Sequence, residues 1–118
     1  VTIRPLFAAL AVMALAGCAN DPAPNQQIRL SEQALEQARA VGANADDMPE
    51  LKQAEDKLAH AQADMLEESY KDARLQAEQA ELDARLAEAR VLTQKSQEQL
   101  NVLNTRITRL RKQLAEAQ

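Results

Sequence analysis

The stretch YKDARLQAEQAELDARLAEARVLTQKSQEQLNVLNTRITRLRKQLAEAQ, residues 70–118, holds neither proline nor glycine and keeps a helical period throughout. A single helix of about 48 residues would be roughly 72 Å long at 1.5 Å per residue. A heptad places Leu86, Thr93, Leu100, Ile107 and Leu114 at a, and Leu82, Ala89, Ser96, Leu103, Leu110 and Ala117 at d. In the first half a second stripe, Tyr70, Ala73, Ala77, Ala80, Ala84, Ala87 and Val91, follows positions b and f. A helix apolar on two sides is expected to be packed on two sides, since a stripe left in water forfeits its burial. Residues 70–92 should therefore lie against other helices, with alanines allowing close approach. Beyond Thr93 only the a/d seam continues. Residues 93–118 are thus expected to project as a coiled-coil-like arm that needs something to pair with.

The segment before it reads as a helical hairpin. Ile28, Ser31, Leu35 and Ala38, widened by Ala34 and Val41, form one stripe of a helix from about Asn25 to Ala40. Gly42 stands where a C′ residue belongs. After the polar loop 43–47, Asp47 is the expected N-cap, and Pro49 with Glu50 suits a first turn. Leu51, Ala54, Leu58, Ala61 and Met65 then recur at 3,4 spacing, predicting a second helix of about 18 residues. A break is expected at Glu67-Glu68-Ser69, with Ser69 capping the next helix and Asp72 favourable to its dipole. No proline or glycine enforces it, so one unbroken helix from Pro49 onward is the alternative. The fold class is all-α: a short helical hairpin packed on a long C-terminal helix that continues as a coiled-coil-like arm. Residues 26–92 form the alanine-rich stem and 93–118 the arm.

Residues 1–17 have the make-up of a secretory leader. One basic residue, Arg4, precedes the apolar run 6–16, which is too short for the ~20 apolar residues of a membrane span. Leu15-Ala16-Gly17-Cys18 follows, and the tetrad resembles the lipobox of bacterial lipoproteins. That resemblance implies cleavage between Gly17 and Cys18 and a covalent lipid on the Cys18 sulfur. Several acyl chains on one residue anchor stably where one binds marginally. The alternative for Cys18 is a free thiol in an apolar N-terminal helix. Among Gram-negative lipoproteins an Asp directly after the cysteine marks inner-membrane retention. Ala19 stands there, so the resemblance implies the outer membrane, on its periplasmic face. Residues 18–25 then form the lipidated cysteine and a tether stiffened by Pro22 and Pro24.

The whole resembles a family of small Gram-negative lipoproteins with an alanine-rich helical domain of unknown function, also found ahead of OmpA-like domains. The resemblance rests on the lipobox, the proline tether, and Tyr70-Lys71-Asp72-Ala73 through Ala77, Ala80, Ala84 and Ala89, covering roughly residues 15–92. It implies envelope residence and brings no activity or catalytic residues.

Composition and charge narrow the function. Cleavage would leave 101 residues with a formal charge of −5, and Tyr70 as the only aromatic. An acidic chain with one stacking ring argues against nucleic acid as a partner. His60 has Asp56 and Asp64 one turn away on either side, a pattern that is more often a solvated stripe than a metal site; no metal is expected. Ser69, Thr93, Ser96, Thr105 and Thr108 lack a nearby base, so the chain does not read as an enzyme, and it calls for no cofactor beyond the lipid.

Charge is unevenly spread. Residues 91–118 carry Lys95, Arg106, Arg109, Arg111 and Lys112 against Glu98 and Glu116, whereas 19–72 hold twelve acids and five bases. The basic cluster is either a set of cations suited to a helix C-terminus or a contact for an acidic partner, anionic glycan or lipid head groups. Together with Leu100, Leu103, Ile107, Leu110 and Leu114, residues Arg106, Arg109, Arg111 and Lys112 form the expected partner-binding set. In a parallel self-pair, Arg85 at g would meet Arg90 at e, and Arg106 would meet Arg111. Antiparallel pairing or an acidic partner helix is therefore expected. The reading is of a scaffold or adaptor that binds a partner helix or a second copy. The alternative is a tether to peptidoglycan similar to murein lipoprotein. That family ends in a lysine joined to the wall. Here Lys112 lies six residues before Gln118, so the contact would be noncovalent.

Overall fold

The computed structural model describes residues 21–118. The leader, Gly17, Cys18 and Ala19 lie outside the described residues. Three helices follow one another: α1 (Asn25–Ala40), α2 (Pro49–Leu66) and α3 (Tyr70–Glu116). No strand occurs among the described residues. The all-α hairpin-on-long-helix architecture is the one the periodicity predicts. The 47 residues of α3 make a rod of roughly 70 Å.

Each helix end has an identifiable cause. At the end of α1, the Gly42 N–H donates to the Arg39 carbonyl and the Ala43 N–H to the Ala38 carbonyl, 2.9 and 3.0 Å away. This paired closure needs a left-handed residue between them, and Gly42 supplies it at φ +105°. Lys95 of α3 reaches across and donates its Nζ–H to the Val41 carbonyl at 2.6 Å. One cation thus satisfies an orphan carbonyl at the negative end of the α1 dipole.

At the start of α2 the N-cap is Met48, not Asp47, and no side chain caps the helix. Asp47 is used one step earlier. Its N–H donates to the Asn44 carbonyl, while the Asn44 side chain accepts from the Asp46 N–H. Half-buried Met48 packs against the core and so sets where the chain enters α2. Pro49 then fills the first turn, where a missing N–H costs nothing.

The break between α2 and α3 is real, so the unbroken helix does not form. The Ser69 N–H donates to the Asp64 carbonyl and the Glu68 N–H to that of Met65. This is the same closure as after α1, but the left-handed place is taken by Glu68 at φ 59°. Ser69 is the N-cap of α3 through its backbone carbonyl, which accepts from Ala73; its side chain makes no capping bond. A left-handed β-carbon costs roughly 1–2 kcal/mol, partly offset by the lower unfolded-state entropy of a non-glycine residue. Glu68→Gly is therefore expected to stabilise the fold by about 0.5–1 kcal/mol. A urea unfolding midpoint that stays or falls would contradict this.

Contacts along the rod fix the helix directions. Arg74 with Pro22 at one end and Lys95 with Val41 at the other set α1 parallel to α3. Arg90 with Glu50 and Asp83 with Lys57 set α2 antiparallel. The buried face of α3 is the alanine stripe Ala73, Ala77, Ala80, Ala84 and Ala87, ending at Val91. Opposite it lie Ser31, Ala34, Leu35 and Ala38 of α1 and Leu51, Ala54 and Ala61 of α2. Small side chains on all three helices let the backbones approach. Ser31 Oγ, fully buried, exploits this by lying 2.6 Å from the Ala77 carbonyl and 2.8 Å from that of Gln27.

One expectation fails here. Both hairpin helices pack on the alanine side, and the leucine side of residues 70–92 is not covered. Leu75, Leu82 and Leu86 remain 51, 66 and 46% exposed. The reason lies in the hairpin, whose inner faces are mostly alanine and serine and match only the small stripe.

Candidate functional site

Past Val91 every residue of α3 is exposed. The sequence-predicted partner residues Leu100, Leu103, Ile107, Leu110 and Leu114 recur at 3,4 spacing on one side of this bare helix, and none touches the hairpin. Isolated exposed leucines are ordinary, whereas a contiguous apolar row marks an interaction surface. The row does not begin at residue 93. Its heptad register extends back through Leu86 and Leu82 to Leu75 at d, all open on the face opposite the alanines. Sequence reasoning placed these three within a covered segment. Their membership of the same 3,4 series as Leu100 was the available signal.

Four cations of the stem are paired with carboxylates, whereas Arg29, Lys52 and Lys71 form no ion pair among the described residues. Lys57 lies 2.6 Å from Asp83, Arg90 2.6 Å from Glu50, Arg39 2.8 Å from Glu55, and Arg85 2.7 Å from Glu81. The Arg85 hydrogen bond, and then that from Gln27, hold the Glu81 carboxyl below the usual carboxylate range. Arg85 and Arg90, the flank charges that a parallel self-pair would oppose, are thus already engaged by carboxylates of their own stem. In the arm, Lys112 lies 3.8 Å from Glu116, and Arg106, Arg109 and Arg111 have no acidic partner among the described residues. Arg106 at g and Arg111 at e flank the seam, whereas Arg109 and Lys112 lie further round the helix.

Little else gathers chemistry. Asp56, His60 and Asp64 lie on α2, with Asp56 and His60 exposed. Among the described residues no three His, Cys, Asp or Glu side chains are placed to hold a metal ion. The groove between α1 and α2 is lined by Glu32, Leu35, Arg39, Glu55 and Leu58. Its polar groups bond each other, Arg39 to Glu36 and Glu55, and Gln62 to Glu32. No helix among the described residues is long and apolar enough to cross a membrane.

This arrangement has a solved counterpart. The crystal structure of a DUF4398 family protein from Pseudomonas aeruginosa PAO1 superposes with a TM-score of 0.78 at 66% sequence identity. The match covers 82% of this chain and 100% of that one. A search of curated proteins finds no match. The model of the domain of unknown function DUF4398 matches residues 26–103, which take in the whole stem and the first part of the arm. The chain belongs to the DUF4398 family.

Proposed function

We propose that this chain is a lipid-anchored envelope scaffold or adaptor that works by pairing the seam of α3 with another helix. The observation that carries the reading is the row Leu100, Leu103, Ile107, Leu110 and Leu114, 45–68% exposed on a helix that outruns its own hairpin. A structure that keeps such a row dry only by pairing has a reason to be held where a partner is. Placement follows from the tetrad Leu15-Ala16-Gly17-Cys18 and from Ala19, which support lipidation of Cys18 and residence on the periplasmic face of the outer membrane. Peptidoglycan contact through Arg106, Arg109 and Arg111 is the second reading, favoured by their lack of acidic partners among the described residues.

A photo-cross-linking residue at Leu103 should give a discrete adduct in intact cells, and one at exposed Gln62 should not. Cys18→Ser should shift the protein out of the outer-membrane fraction. Absence of any adduct at Leu103 would sink the pairing reading. A Leu103-independent fraction released from the sacculus only by muramidase would favour the wall.

A further inference from the structure

The open seam admits one occupant whose own surface is known, a second copy of the same helix. From the seam pattern and the flank charges we infer that α3 pairs antiparallel with α3 of a second copy, each arm lying along the other's stem. This rests on the helix-pairing function proposed above and specifies its partner.

In an antiparallel pair, position a of one helix packs against d of the other, and like flanks face each other, e to e and g to g. One register uses every seam leucine from 82 to 114. Leu82 meets Leu114 of the second copy, Leu86 meets Leu110, Ala89 meets Ile107, Thr93 meets Leu103, and Ser96 meets Leu100. Each layer occurs twice about a two-fold axis level with Glu98. The small and hydroxyl-bearing residues that interrupt the seam at 89, 93 and 96 thus fall opposite the large ones at 100, 103 and 107. Large against small is the combination that fills space between facing helices.

The flanks select this register. Asp83 at e, which also holds Lys57 of its own stem at 2.6 Å, faces Arg111, and Arg85 at g faces Gln113, with no like charges opposed. One heptad towards the tips opposes Arg90 to Arg111, and two heptads oppose Arg106 to itself. One heptad the other way opposes Arg85 to Arg106. A parallel pair opposes Glu78 to Asp83, Arg85 to Arg90 and Arg106 to Arg111. Like charges placed so disfavour those arrangements, most where Arg106 and Arg111 are opposed and less where Arg85 and Arg90 keep Glu81 and Glu50. Over a longer range, the arm 104–118 carries Arg106, Arg109, Arg111 and Lys112 against Glu116. It overlies segment 78–92, where Glu78, Glu81, Asp83 and Glu88 outnumber Arg85 and Arg90. Basic arm meets acidic stem.

The stem leaves room for this. α1 and α2 occupy the b and f side of α3, and Leu82 and Leu86 on the far side are exposed. Residues 82–114 make a contact of about 50 Å. At a helix width of ~10 Å it removes about 1,000 Å² in total, the lower bound for a biological interface.

The test uses the full chain in intact cells. Two differently tagged copies, one Leu86→Cys and one Leu110→Cys, are co-expressed and oxidised. The expected product is a mixed-tag disulfide dimer. Leu110→Cys alone should give none, because its two copies lie about 36 Å apart along the rod in this register. Both substitutions are at exposed sites, and unchanged helical circular dichroism confirms that the stem folds. Adding Leu103→Glu to both copies should cut the mixed product at least 10-fold. A same-position Leu110→Cys dimer, or no mixed product, overturns the inference. If the Leu103 photo-adduct persists without the mixed disulfide, self-pairing fails and the helix-pairing function stands; if both are absent, both fall.

Discussion

Replacing Leu51 by alanine is expected to destabilise the protein by about 3 kcal/mol, lowering the melting temperature by roughly 10–20 °C. Leu51 is the largest fully buried apolar side chain among the described residues and lies in the first turn of α2. It belongs to the cluster that joins Leu35 and Ala38 of α1 to Ala84, Ala87 and Val91 of α3. Most of its cluster neighbours are alanines, too short to fill the space, and only Leu35, Leu58 and Met48 are long enough to shift towards it. A cavity that collapses only in part keeps the cost within the leucine-to-alanine range. The control is Leu66→Ala at the end of α2. Leu66 is 88% exposed, and its loss should change stability by less than about 0.5 kcal/mol. Thermal unfolding followed by circular dichroism checks both, and equal effects would contradict the core described above.

Much of this architecture is legible in the residues because its signals are local. Gly42 marks the end of α1, Pro49 the first turn of α2, and the alanine spacing marks the buried face of α3. The signals that misled are those in which a poor residue holds a place for want of a better one. Glu68 adopts the left-handed conformation that glycine would adopt without strain, so the break lacked its usual marker. Asp47 has the chemistry of an N-cap but lies one residue early, since Met48 is the one that packs. Openness of the leucine face was beyond local reading. Composition says that α3 has two apolar stripes, but only the shape of the hairpin decides which of them is covered. Here small faces met small faces, and the larger stripe was left uncovered.

The direction of the helices gives that leucine face a defined orientation. Pro22 beside Arg74 places the segment that leads to Cys18 at the start of α3, and residue 118 at the far pole. Under the proposed lipidation of Cys18, a single chain would present its arm away from the anchor. In the antiparallel pair the two Arg74 positions lie about 72 Å apart, so two lipid anchors as proposed would reach one bilayer only with the rod lying along it. Pairing and projection are thus alternative postures of the same seam, and the mixed disulfide reports which one cells contain.

Ala84→Leu is expected to cost about 3 kcal/mol or more, the upper end for forcing extra methylenes into a packed core. Ala84 is fully buried near the middle of the stripe, between Ala80 and Ala87, in one core cluster with residues of both hairpin helices. Leucine is a strong helix former, so the loss cannot come from helix propensity. The informative comparison is Ala115→Leu. Counting by 3 and 4 from Ala84 through Ala87 and Val91, the same face of α3 arrives at Ala115, where no hairpin lies over it and the residue is exposed. There the identical substitution should change stability by less than about 0.5 kcal/mol. A large effect at 84 with none at 115 assigns the cost to helix approach. It follows that the alanines act as the spacer that sets how close α1 and α2 come to α3. Enlarging that spacer pushes the hairpin away without touching Leu82, Leu86 or the arm. An Ala84→Leu chain that loses its stem cooperativity yet still forms the Leu86–Leu110 disulfide would show that the two faces of α3 work independently.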